Sequence, residues 1–149
     1  MANRHLKTKS ITLASQKIRI TQTYGNVEKC IIKNSMLTCI LNICPSTESD
    51  SYKIKVSYTA KKNPIAILLS PKLQLHDGNR PPHLYGNDKS GHPILCIYYP
   101  RFNEWNSTMF LADSFVPWIS TWLNAYEYWL ITGKWHYLES PHRLKTDLI

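Results

Sequence analysis

From Tyr52 to Tyr58 the chain alternates apolar and polar side chains, reading Tyr, Lys, Ile, Lys, Val, Ser, Tyr. A period of two is that of a β-strand with one wet face and one face that needs cover. Short runs rich in branched residues at Cys30 to Lys33, Met36 to Ile43 and Ile65 to Leu69 predict three more strands. The breaks between them carry turn chemistry: Lys33-Asn34-Ser35, the polar stretch 45–51, and Lys61-Lys62-Asn63-Pro64. Connections this short predict an antiparallel meander of four strands.

Towards the C-terminus the period changes. Leu111, Phe115, Trp118, Ile119, Trp122, Leu123, Tyr126, Trp129 and Leu130 recur at intervals of three and four, a wide apolar stripe on a helix of about 18 residues. Asp113 or Ser114 is placed to cap its start, Pro117 falls in the first turn where proline is tolerated, and Gly133 suits the stop. The stripe is read as the face that covers the sheet rather than as a stacking platform for bases. Near the N-terminus Ile11, Leu13, Ile18 and Ile20 hold a helical period poorly, and a helix over Thr8 to Arg19 is expected. The expected architecture is a single α+β domain: a basic N-terminal segment (1–24), a sheet (27–70), an irregular segment (71–108), and a long crossover helix with a polar tail (109–149).

The irregular segment holds turn clusters at Asp77-Gly78-Asn79 and Gly86-Asn87-Asp88, and long loops inside compact domains are where function concentrates. Composition bears this picture out in part. A chain of 149 residues, 43% hydrophobic with five Trp and nine Tyr, has enough apolar surface for one core. No run approaches the roughly 20 apolar residues of a membrane span, and the first residues lack the apolar stretch of a signal peptide, so a cytoplasmic protein without membrane partners is expected. The net charge of +8 favours acidic partners, but no basic and aromatic residues interleave as in nucleic-acid binders, so nucleic acid is a minor reading.

The four cysteines, Cys30, Cys39, Cys44 and Cys96, show no paired metal-ligand spacing and suggest no disulfide framework. Reduced thiols are expected, with no metal and no cofactor. Cys30, Cys39 and Cys44 fall within or at the ends of strands, where a thiol is usually a small buried apolar group. Cys96 is the candidate nucleophile. A reactive thiolate needs exposure and nearby positive charge, and His83, Lys89, His92 and Arg101 flank it in sequence. His83, His92, His136 and His142 are all available as a base, with nothing in the sequence to choose among them.

His83-Leu84-Tyr85, a loop ending in Gly91, Ile94-Leu95-Cys96-Ile97 and Trp105 nine residues later resemble the active-site stretch of ubiquitin-conjugating enzymes. There a His-Pro-Asn motif precedes Gly-x-Ile-Cys-Leu, and a tryptophan follows. The order of meander, cysteine-bearing segment and helix resembles the same family over nearly the whole chain. The C-terminal half is similar in particular to the bacterial branch found in antiviral operons of the CBASS type. The residues that carry this likeness are Leu95 to Pro100, Glu104-Trp105, Pro117 to Leu130, Thr132 to Trp135, Glu139 and His142. The chain departs from the family at Tyr85, which stands where Asn is usual with Asn87 two positions on, and at Tyr137, where the bacterial branch usually has glycine.

The resemblance implies a UBC-like fold and a transferase. A protein C-terminus would be carried on Cys96 as a thioester and passed to an amine. The donor would be a CD-NTase-type cyclase or a ubiquitin-like protein, with or without a separate activating enzyme. His83 would brace the loop by hydrogen bonds, Tyr85, Asn87 or backbone N–H groups would take the role of the missing Asn, Trp105 would wall the site, and His142 would support it. A non-catalytic binding module of the same fold is the rival, and it requires a buried Cys96.

Overall fold

The computed structural model describes residues 9–98 and 104–136. Helix α1 (Leu13–Thr23) is followed by β1 (Val27–Lys33), β2 (Met36–Ile43), β3 (Tyr52–Thr59), β4 (Ile65–Ser70), β5 (Leu84–Asn87) and β6 (Pro93–Leu95). A 3-10 turn (Leu111–Asp113) then leads into α2 (Phe115–Thr132). The strands form one antiparallel sheet in the order β1-β2-β3-β4-β6-β5.

The first four strands form the expected meander. Between β1 and β2, Asn34 and Ser35 both take positive φ, 51° and 59°, the backbone of a two-residue turn whose twist matches that of the strands it joins. Register then pairs the buried positions: Leu37, Cys39, Leu41 and Ile43 lie opposite Tyr58, Val56, Ile54 and Tyr52. One face of the sheet is therefore apolar throughout, and α2 covers it with Ile119, Trp122, Leu123, Tyr126 and Trp129. Gly133 ends α2 with φ 73°, its N–H bonded to the Trp129 carbonyl at 2.7 Å. Ser114 stands at the N-cap, but its hydroxyl donates to the Phe110 carbonyl at 2.6 Å rather than capping the helix.

The sheet differs from expectation in having six strands rather than four. The two extra strands come from the segment read as irregular, where β5 spans four residues and β6 three. Strands this short carry no measurable period, and Gly86 (φ 104°) interrupts β5. Helix α1 also begins later than expected, because Thr12 is the N-cap and accepts the Ser15 N–H at 3.1 Å.

The hairpin register also corrects the expectation that every thiol is reduced. Cys30 and Cys39 lie directly opposite on β1 and β2, with Cα atoms 4.2 Å apart, and are joined as a disulfide. Two positions that are only nine residues apart in sequence meet because the turn between them is the shortest that reverses a strand. Cys44, expected to be buried, is exposed beyond the end of β2.

Polar bonds dock α1 on the chain just before α2. Gln16 is fully buried, donates from Nε2 to the Met109 carbonyl at 2.8 Å and accepts the Leu111 N–H on Oε1 at 2.9 Å. Gln16→Ala leaves both groups without a partner inside the protein and is expected to cost about 1–3 kcal/mol. The check is a lower urea midpoint at unchanged slope. The neighbouring Arg19–Asp113 pair, at 3.0 Å but half exposed, contributes less.

Candidate active site

Cys96 directly follows β6, and the hairpin before it is closed by its own turn. Asp88 accepts the N–H groups of Ser90 at 3.0 Å and His92 at 2.8 Å on one carboxylate oxygen. The His92 N–H above all holds that carboxyl below its ordinary range. The Asp88 N–H returns to the His92 carbonyl at 2.8 Å. Leu84 then pairs with Leu95, so the residue before β5 and the residue after β6 are brought side by side.

These two residues are His83 and Cys96. The Cys96 N–H donates to the His83 carbonyl at 2.9 Å, and the indole N–H of Trp122 donates to the same oxygen at 3.1 Å. His83 has φ 61°, an uncommon conformation for a residue with a side chain, and its ring lies against Trp135 with centroids 5.2 Å apart. The His83 main-chain carbonyl thus accepts from both the cysteine and the helix. That carbonyl ties the cysteine-bearing segment to the middle of α2.

The sulfur is not open to solvent. Cys96 is 3% exposed, and Leu95, Ile97 and Tyr98 around it are equally buried. An uninterrupted apolar run shows why: past β6 the chain leaves the sheet and packs under the start of α2, with Tyr98 edge-on to Phe115 at 6.1 Å and Trp118 at 5.9 Å. The Cys96 thiol donates to the Tyr98 carbonyl at 3.8 Å. A thiol packed this way corrects the expectation that the loop delivers it to the surface.

The family model described as Type II CBASS E2 protein matches residues 16–143. The chain belongs to that family. As a Type II CBASS E2 protein it has an E2-like, conjugating-enzyme character and works in the antiviral setting of a CBASS operon. No curated protein matches the chain significantly. Among the described residues no helix is long and apolar enough to cross a membrane.

Within this CBASS E2 protein the residues singled out from sequence fall in different places. Tyr85 stands on β5 and its hydroxyl donates to the Tyr98 carbonyl at 3.0 Å. Asn87 lies at the far end of β5, opposite Pro93 rather than Leu95, roughly 10 Å along the strand from Leu84. Its side-chain oxygen there accepts from Arg80 at 3.1 Å. Trp105 is a core residue, 4% exposed, edge-on to Tyr58 at 5.2 Å and donating to Ser114 Oγ at 3.0 Å. Arg101, Glu139 and His142 lie outside the described residues.

Sequence reasoning missed two residues that shape the site, Tyr98 and Trp122. The stripe of α2 marked Trp122 as apolar, yet a buried indole also carries an N–H that must find an acceptor. Tyr98 acts through its carbonyl, for which no side-chain signal exists.

Burial pushes the phenols of Tyr98, Tyr52 and Tyr58 above their ordinary range, and at Tyr98 the Glu104 carboxylate adds to the effect. Tyrosines of the unfolded chain ionise near pH 10. Above that value the unfolded state has released protons that the folded state still holds, so stability falls as pH rises. The urea midpoint is expected to hold below about pH 10 and to drop above it, with tyrosinate absorbance appearing together with unfolding.

Proposed function

We propose that this CBASS E2 protein is a cysteine-dependent transferase of UBC-like fold that carries a protein C-terminus as a thioester on Cys96 in the cytoplasm, with a CD-NTase-type cyclase as its substrate. The observation that carries this reading is the hairpin β5–β6, which sets Cys96 beside His83 within the stretch that resembles the active site of conjugating enzymes. Family membership supplies the context.

The chemistry is acyl transfer in two steps. The Cys96 thiolate attacks the carbonyl carbon of an activated C-terminus, a new C–S bond forms, and the activating group leaves with the electron pair of its own bond. An amine then attacks the thioester, the Cys96 thiolate departs, and the ammonium proton goes to solvent as the amide forms. A thioester is already reactive towards amines, so the protein's task is positioning and stabilisation of the oxyanion rather than strong base catalysis. Each candidate for the oxyanion role is engaged in the chain on its own, the Tyr85 hydroxyl by the Tyr98 carbonyl, Asn87 by Arg80 and the Cys96 N–H by the His83 carbonyl, so the role falls to whichever of them substrate binding turns towards the thioester. His83 holds the loop, while His142 is assigned a supporting role on the resemblance alone. Trp105 supports the site from beneath, as part of the core.

The burial of Cys96, at 3% exposure, favours a second reading: a non-catalytic module of the same fold that binds the cyclase without acylation. The two part on one experiment. The protein is incubated with the operon's cyclase and any activating enzyme, then resolved without reductant. An adduct removed by thiol supports the transferase. Binding to the cyclase with no adduct supports the module.

A further inference from the structure

Tyr85 is 55% exposed, yet its hydroxyl turns inward to the Tyr98 carbonyl at 3.0 Å. The same oxygen accepts from the Cys96 thiol at 3.8 Å. A carbonyl offers two lone pairs, so one main-chain oxygen serves both donors at once. One donor comes from β5 and the other from the chain leaving β6. The Tyr98 ring, buried between Phe115 and Trp118, anchors the same residue from inside. The strap Ile97–Tyr98 is therefore held over the sulfur from two sides, and Tyr85 is the exposed one of the two.

This contact matters chemically because the reactive form of cysteine is the thiolate. A carbonyl lone pair accepts from a thiol and repels a thiolate. The bond from Tyr85 keeps that carbonyl in place, and it is also the bond that a molecule arriving at the surface can reach. Beside it an apolar crevice is lined by Tyr85 with Ile65, Ile94, Ile97, Tyr98 and Phe115, so the tyrosine ring and the strap border one opening to solvent.

We propose that Tyr85 is a positioning residue that keeps the thiol closed: its hydroxyl pins the Tyr98 carbonyl over Cys96, and loss of that bond frees the sulfur to react. The purpose of such a latch rests on the reading of Cys96 as the acyl carrier, while its geometry does not. It accounts for a conjugating-enzyme relative whose candidate nucleophile is covered in the chain on its own.

The test is the rate at which iodoacetamide modifies Cys96 in the full chain, followed by peptide mass, with exposed Cys44 as reference in the same sample. In the wild type Cys96 reacts more slowly than Cys44. Tyr85→Phe keeps the ring and removes the hydroxyl, and is expected to raise the Cys96 rate about fivefold, the equilibrium factor of one neutral hydrogen bond, while Cys44 is unchanged. That rise is expected to be insensitive to low urea, as for local opening. Gln16→Ala weakens the fold elsewhere and is expected to leave the low-urea Cys96 rate alone. An unchanged rate in Tyr85→Phe, an equal rise in Gln16→Ala, or a rise with the steep urea dependence of global unfolding overturns the latch. Adduct trapping on the same two chains separates the questions. Faster alkylation in Tyr85→Phe with no thioester on either chain keeps the latch and removes the transferase. A thioester on the wild type, with alkylation unchanged in Tyr85→Phe, removes the latch alone.

Discussion

Cys96→Ala is expected to abolish the thiol-sensitive adduct with the cyclase completely, and Cys96→Ser to replace it with one that survives reductant. The reasoning is stoichiometric: a thioester needs the sulfur, alanine offers no nucleophile, and an ester formed on serine oxygen is not cleaved by thiols. Neither substitution adds volume at a site that is 3% exposed, so the hairpin and the bond from the Cys96 N–H to His83 persist. Folding is checked by urea melts alongside the trapping gel. An adduct that persists in Cys96→Ala places the chemistry elsewhere, with exposed Cys44 as the next thiol to substitute.

Trp105→Ala is expected to produce the largest loss of stability, about 3–5 kcal/mol, because it empties a well-packed volume. The indole is 4% exposed, sits edge-on to Tyr58 at 5.2 Å, and bonds Ser114 Oγ at 3.0 Å. Trp105→Phe keeps most of the packing and loses one hydrogen bond, for a cost of about 1 kcal/mol. Ser114 still donates to Phe110 in that variant, so no hydroxyl is left stranded. The comparison separates a core tryptophan from one that walls an active site. A wall residue lowers acyl transfer at unchanged urea midpoint, whereas a core residue lowers the midpoint first.

Exposure was the property hardest to read at the candidate site. Cys96 sits in Ile94-Leu95-Cys96-Ile97-Tyr98, and such a run fits both a small apolar filler and a nucleophile on a loop. Burial depends on what packs against the run, which here includes Phe115 and Trp118 at the start of α2. The position of Asn87 is illegible for a related reason: it is close to Tyr85 in sequence, but strand extension sets it opposite Pro93, away from the cysteine end of the hairpin.

Local pattern in the chain was enough to determine the four strands of the meander, one by its alternation and three by runs of branched residues between turn signals, and the apolar stripe of α2 with its glycine stop, because side-chain period and turn chemistry are set by the local backbone. The motif around Cys96 together with the Trp-rich C-terminal half pointed to the family that the match over residues 16–143 bears out. Only the tertiary structure decided the pairing of β5 with β6, the bond of Cys30 to Cys39, the core position of Trp105 and the closure of the Tyr98 carbonyl over the sulfur. Each of these depends on which segments meet across the fold. Such meetings are fixed by register, and by main-chain atoms that every residue shares, so side-chain identity does not announce them.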